Sequence, residues 1–205
     1  GCSSVIASRM GLHLADWTVT EAGFGFDLGA EKFFDIKCVS AGLDPSAVVL
    51  VATVRALKLH GGVKFKDLDK PDGDAVRRGL PNLTKHLENV DAFGKPAVVA
   101  INRFGADTDE ELDIVAAHCA DMGVRCATAE HFAKGGEGAL QLSRFVREAA
   151  EESPTGFEPL YQRSDPLPDK IAAVANRIYG ADGIRLTKKA KADLKTIERL
   201  GCADL

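Results

Sequence analysis

Three stretches of this 205-residue chain carry side chains suited to gripping a flat, charged small molecule. The first is Glu21-Ala22-Gly23-Phe24-Gly25-Phe26-Asp27-Leu28-Gly29, where two phenylalanines are set among three glycines. Glycine accepts positive φ and lets a ligand approach the backbone, and a phenyl ring offers a stacking face. The second is Asn102-Arg103-Phe104, directly after the apolar run Val98-Val99-Ala100-Ile101. An amide in that place can pair with the edge of a ring, and the side chain that follows can cover it. The third is His131-Phe132-Ala133-Lys134-Gly135-Gly136-Glu137-Gly138, an aromatic followed by glycines that open a helix and present backbone N–H groups to an anion. Arg55, Lys58 and His60, just past another apolar run, are placed to meet phosphate or carboxylate.

Each stretch also has a plainer reading. Gly23 to Gly29 superficially matches a dinucleotide fingerprint, but the third glycine falls one residue late. The same loop also reads as a tight turn with Phe24 and Phe26 packed in a core. Phe104 and Phe132 are two walls of a slot for a planar ring or, equally, ordinary core residues. Lys64 and Lys66 read as solvated charge, and Asp109, Glu110 and Glu111 as helix N-terminal acids meeting the dipole.

The elements that must position these residues follow from periodicity. A helix is expected over residues 3–14 and a short strand over 17–20, which passes through the glycine loop into a second helix. Residues 47–54 and 96–101 are continuous apolar runs, the pattern of strands buried on both faces of a parallel sheet. A shorter strand is expected at 124–128. Between them lie a helix over 74–93, broken near Gly79-Leu80-Pro81, and one capped by Thr108 with Glu111 completing a capping box. A helix over 137–151 follows, then an irregular proline-rich stretch over 153–168, and helices over 169–179 and 187–200. Strands alternating with helices predict an α/β fold, a mostly parallel sheet with helices on both faces, plus a C-terminal helical segment. The expected division is an α/β domain over 1–152 and a connection with helices of a next domain over 153–205. Ligands of such sheets sit at the carboxyl ends of the strands, where Glu21–Asp27, Arg55–Gly62, Asn102–Asp107 and Ala129–Gly136 fall.

The chain has 30 acids against 26 bases, which argues against a nucleic-acid or membrane surface. Five scattered cysteines without a CxxC pair predict reduced thiols and a cytoplasmic location. The chain opens at Gly1 without a methionine and stops at Leu205 straight after a helical pattern, so it is expected to be cut from something longer.

Taken together, VTEAGFGFDLGAEKFFDIKC, ATVRALKLHGG, NLTKHLEN, FGKPAVVAINRF and the HFAKGGEGA stretch resemble formate–tetrahydrofolate ligase, and the resemblance runs from GCSSVIASRMGLHLAD to RLTKKAKADLKTIERLG. It implies a partial phosphate-loop-NTPase-like architecture. It implies ATP, formate and tetrahydrofolate as substrates, magnesium serving the nucleotide, and transfer of the formyl group from formyl phosphate to N10 of tetrahydrofolate. By similarity, Phe24, Phe104 and Phe132, with Gly23, Gly25, Asn102 and Arg103, line the folate and nucleotide cleft. The three glycines then shape a turn that presents Phe24 to a ring. Two positions depart from the family pattern: Phe132 stands where tryptophan is usual, and Phe26 where alanine is usual.

No GxxxxGK[ST] occurs in the chain, and the resemblance puts the phosphate loop and the formyl-phosphate residues upstream of Gly1. No catalytic residue is therefore assigned here, and the isolated chain is expected to show no ligase turnover. The expected partners are small-molecule substrates, the remainder of its own chain and further copies of itself. Two other readings stay open: a non-catalytic folate- or nucleotide-binding module, and an interaction fragment with an exposed apolar surface.

Overall fold

The computed structural model describes residues 2–204; the expectations attached to Gly1 and Leu205 as chain ends lie outside the described residues. Two compact units are present: residues 1–44 with 158–205, and residues 45–157.

The 45–157 unit holds a parallel sheet of β1 (Val48–Ala52), β2 (Ala97–Asn102) and β3 (Arg125–Ala129), in that order. Registers Val49↔Val98 and Ile101↔Thr128 bring the carboxyl ends of all three strands to one edge. β2 is buried at Val98, Val99, Ala100 and Ile101; successive residues point to opposite faces, so both faces are covered, as its apolar run predicts. β1 departs from that expectation. Leu50 and Ala52 are buried, but Val49 and Val51 are 41% and 63% exposed, so one face of β1 is open in this unit.

Four longer helices pack around the sheet: α3 (Val54–His60), α4 (Gly73–Asp91), α5 (Asp109–Asp121) and α7 (Leu140–Glu151), with the short α6 (His131–Lys134) before the last. The expected break in α4 is absent, and Pro81 lies inside an unbroken helix. One feature starts α4 and another holds it together near the proline. Asp72 caps it by accepting the Ala75 N–H at 2.8 Å, and α3 packs so closely on it that a Cβ on Gly79 would stand 2.0 Å from the Leu57 carbonyl oxygen. That packing outweighs the hydrogen bond proline removes. The capping box at Thr108 and Glu111 forms as the sequence predicts.

The other unit contains α1 (Val5–Leu14), then wide π-type turns over Phe26–Ala30 and Phe33–Cys38 that run into α2 (Val39–Ala41). Later in the chain come α8 (Leu167–Arg177) and α9 (Lys188–Arg199). The strand expected at 17–20 is not formed; the nearest pairing is an isolated antiparallel bridge between Cys2 and Ala22. A strand needs a partner, and Val19, 92% exposed, has no sheet to join. α1 is tied down by polar contacts. The buried Lys37 donates to Ser3 Oγ at 2.7 Å and Ser8 Oγ at 2.8 Å, and Arg9 donates to the Ala41 carbonyl at 3.0 Å.

Among the described residues the five cysteines form no disulfide, and no helix is long and apolar enough to cross a membrane.

Candidate functional site

At the carboxyl edge of the 45–157 sheet, β2 and β3 end side by side, with Asn102 in register with Ala129. The Arg103 N–H extends that pairing by donating to the Ala129 carbonyl at 3.2 Å. The loops leaving these adjacent strand ends therefore start from one fixed point. One carries Phe104, 43% exposed; the other carries Phe132, 98% exposed. Neither ring is a core residue, so the packing alternative open in the sequence does not describe this unit. Burying a phenyl ring stabilises a fold by about 1.5–3 kcal/mol, so leaving two of them in water at strand ends forgoes that gain.

Charged side chains stiffen the same edge. Arg103 donates to Asp109 Oδ1 at 2.8 Å and lies 3.9 Å from Glu130 Oε1, while Lys134 donates to Glu130 Oε2 at 2.6 Å. The Lys134 ammonium holds the Glu130 carboxyl below its ordinary value. Arg103 thus already faces carboxylates at the start of α5 and on the neighbouring loop, and Lys134 faces the acid one turn before it on its own segment. Asn102 is half-buried at the end of β2. Beyond Glu130 the chain turns back on itself: the Glu130 N–H donates to the Gly138 carbonyl at 3.0 Å, and a Cβ on Gly138 would stand 2.5 Å from the Glu130 carbonyl. Only glycine allows that approach.

The cations past β1 have structural partners. Lys58 is fully buried and pairs with Glu111 at 3.0 Å, also donating to the Lys70 carbonyl at 3.0 Å. Burial would raise the Glu111 carboxyl, but hydrogen bonds from the Thr108 and Asp72 N–H groups and from Lys58 hold it below its ordinary value. Arg55 pairs with Asp69 on the surface, and His60 is exposed. Phosphate contact by Lys58, one of the sequence options, is therefore excluded by its burial.

In the other unit, the glycine loop has an arrangement that spacing did not foretell. Positive φ falls on Phe24, at +67°, and Gly23 and Gly25 are outside that region. The Phe24 ring is 84% exposed, whereas Phe26 is buried against Phe34, with ring centroids 6.4 Å apart. Gly29 is required for space: a Cβ there would lie 1.5 Å from the Gly23 carbonyl oxygen. A non-glycine residue in the left-handed region costs roughly 1–2 kcal/mol, so the loop holds Phe24 outward at an energetic cost.

Sequence reasoning placed Asp107 and Glu130 within candidate segments at the strand ends but gave neither an individual role. Glu130 would be visible as the acid four residues before Lys134 on a helical turn. Asp107 would be visible as the acid closing a glycine-containing turn just before an N-cap.

Among the described residues, no group of three or more His, Cys, Asp or Glu is placed to hold a metal ion. Compared with known families, the sequence model described as formate–tetrahydrofolate ligase matches residues 1–205.

Proposed function

We propose that this chain, which belongs to the formate–tetrahydrofolate ligase family, supplies ring-binding surfaces to an enzyme that joins formate to tetrahydrofolate at the expense of ATP. The observation that carries this reading is the exposure of Phe104 and Phe132 on loops that leave adjacent parallel strand ends, where α/β sheets bind ligands. In this reading Phe104 and Phe132 contact the flat ring by stacking, and Asn102 meets a ring edge. Arg103 and Glu130 keep the two loops in register. The outward Phe24 is a further stacking surface on its own unit, presented by the turn through Gly23 and Gly25. Phenylalanine at position 132 stacks over a smaller area than a tryptophan would.

None of these groups activates formate or stabilises a transferring phosphoryl group. The chemistry that makes formyl phosphate, with magnesium bound to ATP, is therefore assigned to residues outside this chain, and the isolated 205-residue chain is proposed to bind folate without turning it over. The protein is proposed to work in the cytoplasm.

Titration calorimetry of the chain with tetrahydrofolate and with ATP tests the binding claim. Stacking is worth about 1–3 kcal/mol per ring, so Phe104→Ala and Phe132→Ala should each weaken tetrahydrofolate binding by roughly 5- to 150-fold. In the full-length protein the same changes should raise the apparent KM for tetrahydrofolate far more than that for formate. Equal effects on both substrates would place the rings outside the folate site. A second reading, an interaction surface, is favoured by the open Val49 and Val51 face of β1; it is supported instead if neither ligand produces heat.

A further inference from the structure

We infer that Asp107 is a positioning residue for the ring contact, acting through Phe104 without touching the substrate. This rests on the assignment of Phe104 to ring binding made above. Phe104, Gly105, Ala106 and Asp107 form a turn closed from both sides. The Phe104 N–H donates to Asp107 Oδ2 at 2.8 Å, and the Asp107 N–H donates to the Phe104 carbonyl at 3.0 Å. Phe104 therefore has its amide and its carbonyl both bound to one residue, while its ring stands out from the turn.

Asp107 is itself anchored. It is only 6% exposed, and it immediately precedes Thr108, the N-cap of α5. The Thr108 N–H donates to Glu111 Oε2 at 3.0 Å, and Glu111 Oε1 pairs with the buried Lys58 at 3.0 Å. The peptide bond from Asp107 to Thr108 joins the Phe104 turn to these polar contacts, which lead to α3 in the core. A turn of this shape needs only one acceptor atom, and asparagine would supply it. Yet the second carboxylate oxygen, Oδ1, is buried with no hydrogen-bond partner among the described residues. Buried polar atoms are normally paired, and an unpaired one costs stability. That cost falls on the residue that orients an exposed aromatic at a strand end, which is where strain in the service of binding is found.

The test uses tetrahydrofolate itself, titrated into the full-length protein and four variants: Phe104→Ala, Asp107→Asn, Asp107→Leu, and Asp107→Leu combined with Phe104→Ala. Asparagine keeps an acceptor for the Phe104 N–H; leucine, of similar shape, has none. Asp107→Leu should weaken binding by roughly tenfold to a hundredfold, the range set by losing a hydrogen bond to a charged acceptor. Asp107→Asn should bind within about threefold of the wild type, and Asp107→Leu should add nothing once Phe104 is already alanine. The Leu variant should also raise the KM for tetrahydrofolate while leaving that for formate unchanged. If Asp107→Leu binds as the wild type does, or weakens binding equally with and without the Phe104 ring, the inference is overturned. Should the Leu variants fail to fold, Asp107→Asn decides: a folded Asn variant with lost affinity shows that the charge, not the acceptor, matters, and overturns it. Failure of the ring-binding reading looks different, because Phe104→Ala alone would then bind normally.

Discussion

Asp35→Asn is expected to stabilise the protein at neutral and alkaline pH, with the gain shrinking as pH falls and vanishing below 3.8. Asp35 and Glu31 sit one helical turn apart in the 26–41 helical stretch, 4% and 7% exposed. Burial pushes the Asp35 carboxyl up to about 7; the hydrogen bond from the Leu160 N–H opposes this, the neighbouring Glu31 adds to it, and Arg177 lowers it. Glu31 is likewise raised, mainly by burial, with Lys32 opposing. Two buried carboxyls in contact cannot both ionise freely. A folded value of about 7 against an ordinary 3.8 means that the folded state binds more protons between those pH values. Stability is therefore highest below pH 3.8 as far as this group is concerned, and falls as pH rises through 7. Three pH units at about 1.4 kcal/mol each set the loss at up to about 4 kcal/mol by pH 8. Asparagine cannot ionise, and its Oδ1 can still accept the Leu160 N–H that Asp35 accepts at 2.8 Å. Wild type and variant should therefore match below pH 3.8, diverge as pH rises to about 7, and stay apart by a constant amount beyond it. Urea unfolding followed by the fluorescence of Trp17, the one tryptophan and a member of the same unit, reads this directly. Parallel pH curves for the two proteins, or a less stable variant at pH 8, would refute a carboxyl held protonated by burial.

Two other changes test the readings above. Phe24→Gly should raise stability by about 1 kcal/mol by relieving positive φ, while weakening tetrahydrofolate binding if the ring is a stacking surface. Thermal melting and calorimetric titration measure the two effects, and a destabilised variant would show that this 84%-exposed ring packs against the fold after all. Lys58→Met leaves the Glu111 carboxylate buried without its cation and should cost about 3–5 kcal/mol in urea unfolding. A cost under about 1 kcal/mol would mean that water replaces the ammonium. Since Glu111 is held below its ordinary value, the stability it contributes should also fade as pH drops below the normal carboxyl range.

The family and much of the 45–157 unit were legible in the sequence. β2 announced itself as an uninterrupted apolar run, α5 by Thr108 and Glu111, and β3 as a shorter run over 124–128, because each signal lies within a few residues of chain. The same local reasoning misjudged residues 17–20, whose β propensity has no partner strand to act on, and Pro81, whose cost is offset by packing against α3.

What only the tertiary structure decided is where polar and strained groups find their partners. Lys58 looked like a free cation at a strand end until Glu111, far along the chain, enclosed it. Asp35 owes its raised proton affinity to burial in the folded unit, and the groups that temper it, the Leu160 N–H and Arg177, come from the distant end of the sequence. In the glycine loop, spacing pointed to the glycines as the residues of unusual φ, yet Gly29 is needed for the space the Gly23 carbonyl occupies, and the positive φ passes to Phe24. Composition and periodicity act through the nearest neighbours in sequence and so determine which segments become helix or strand. Burial, close approach and ion pairing act through space, and the chain must fold before those neighbours exist.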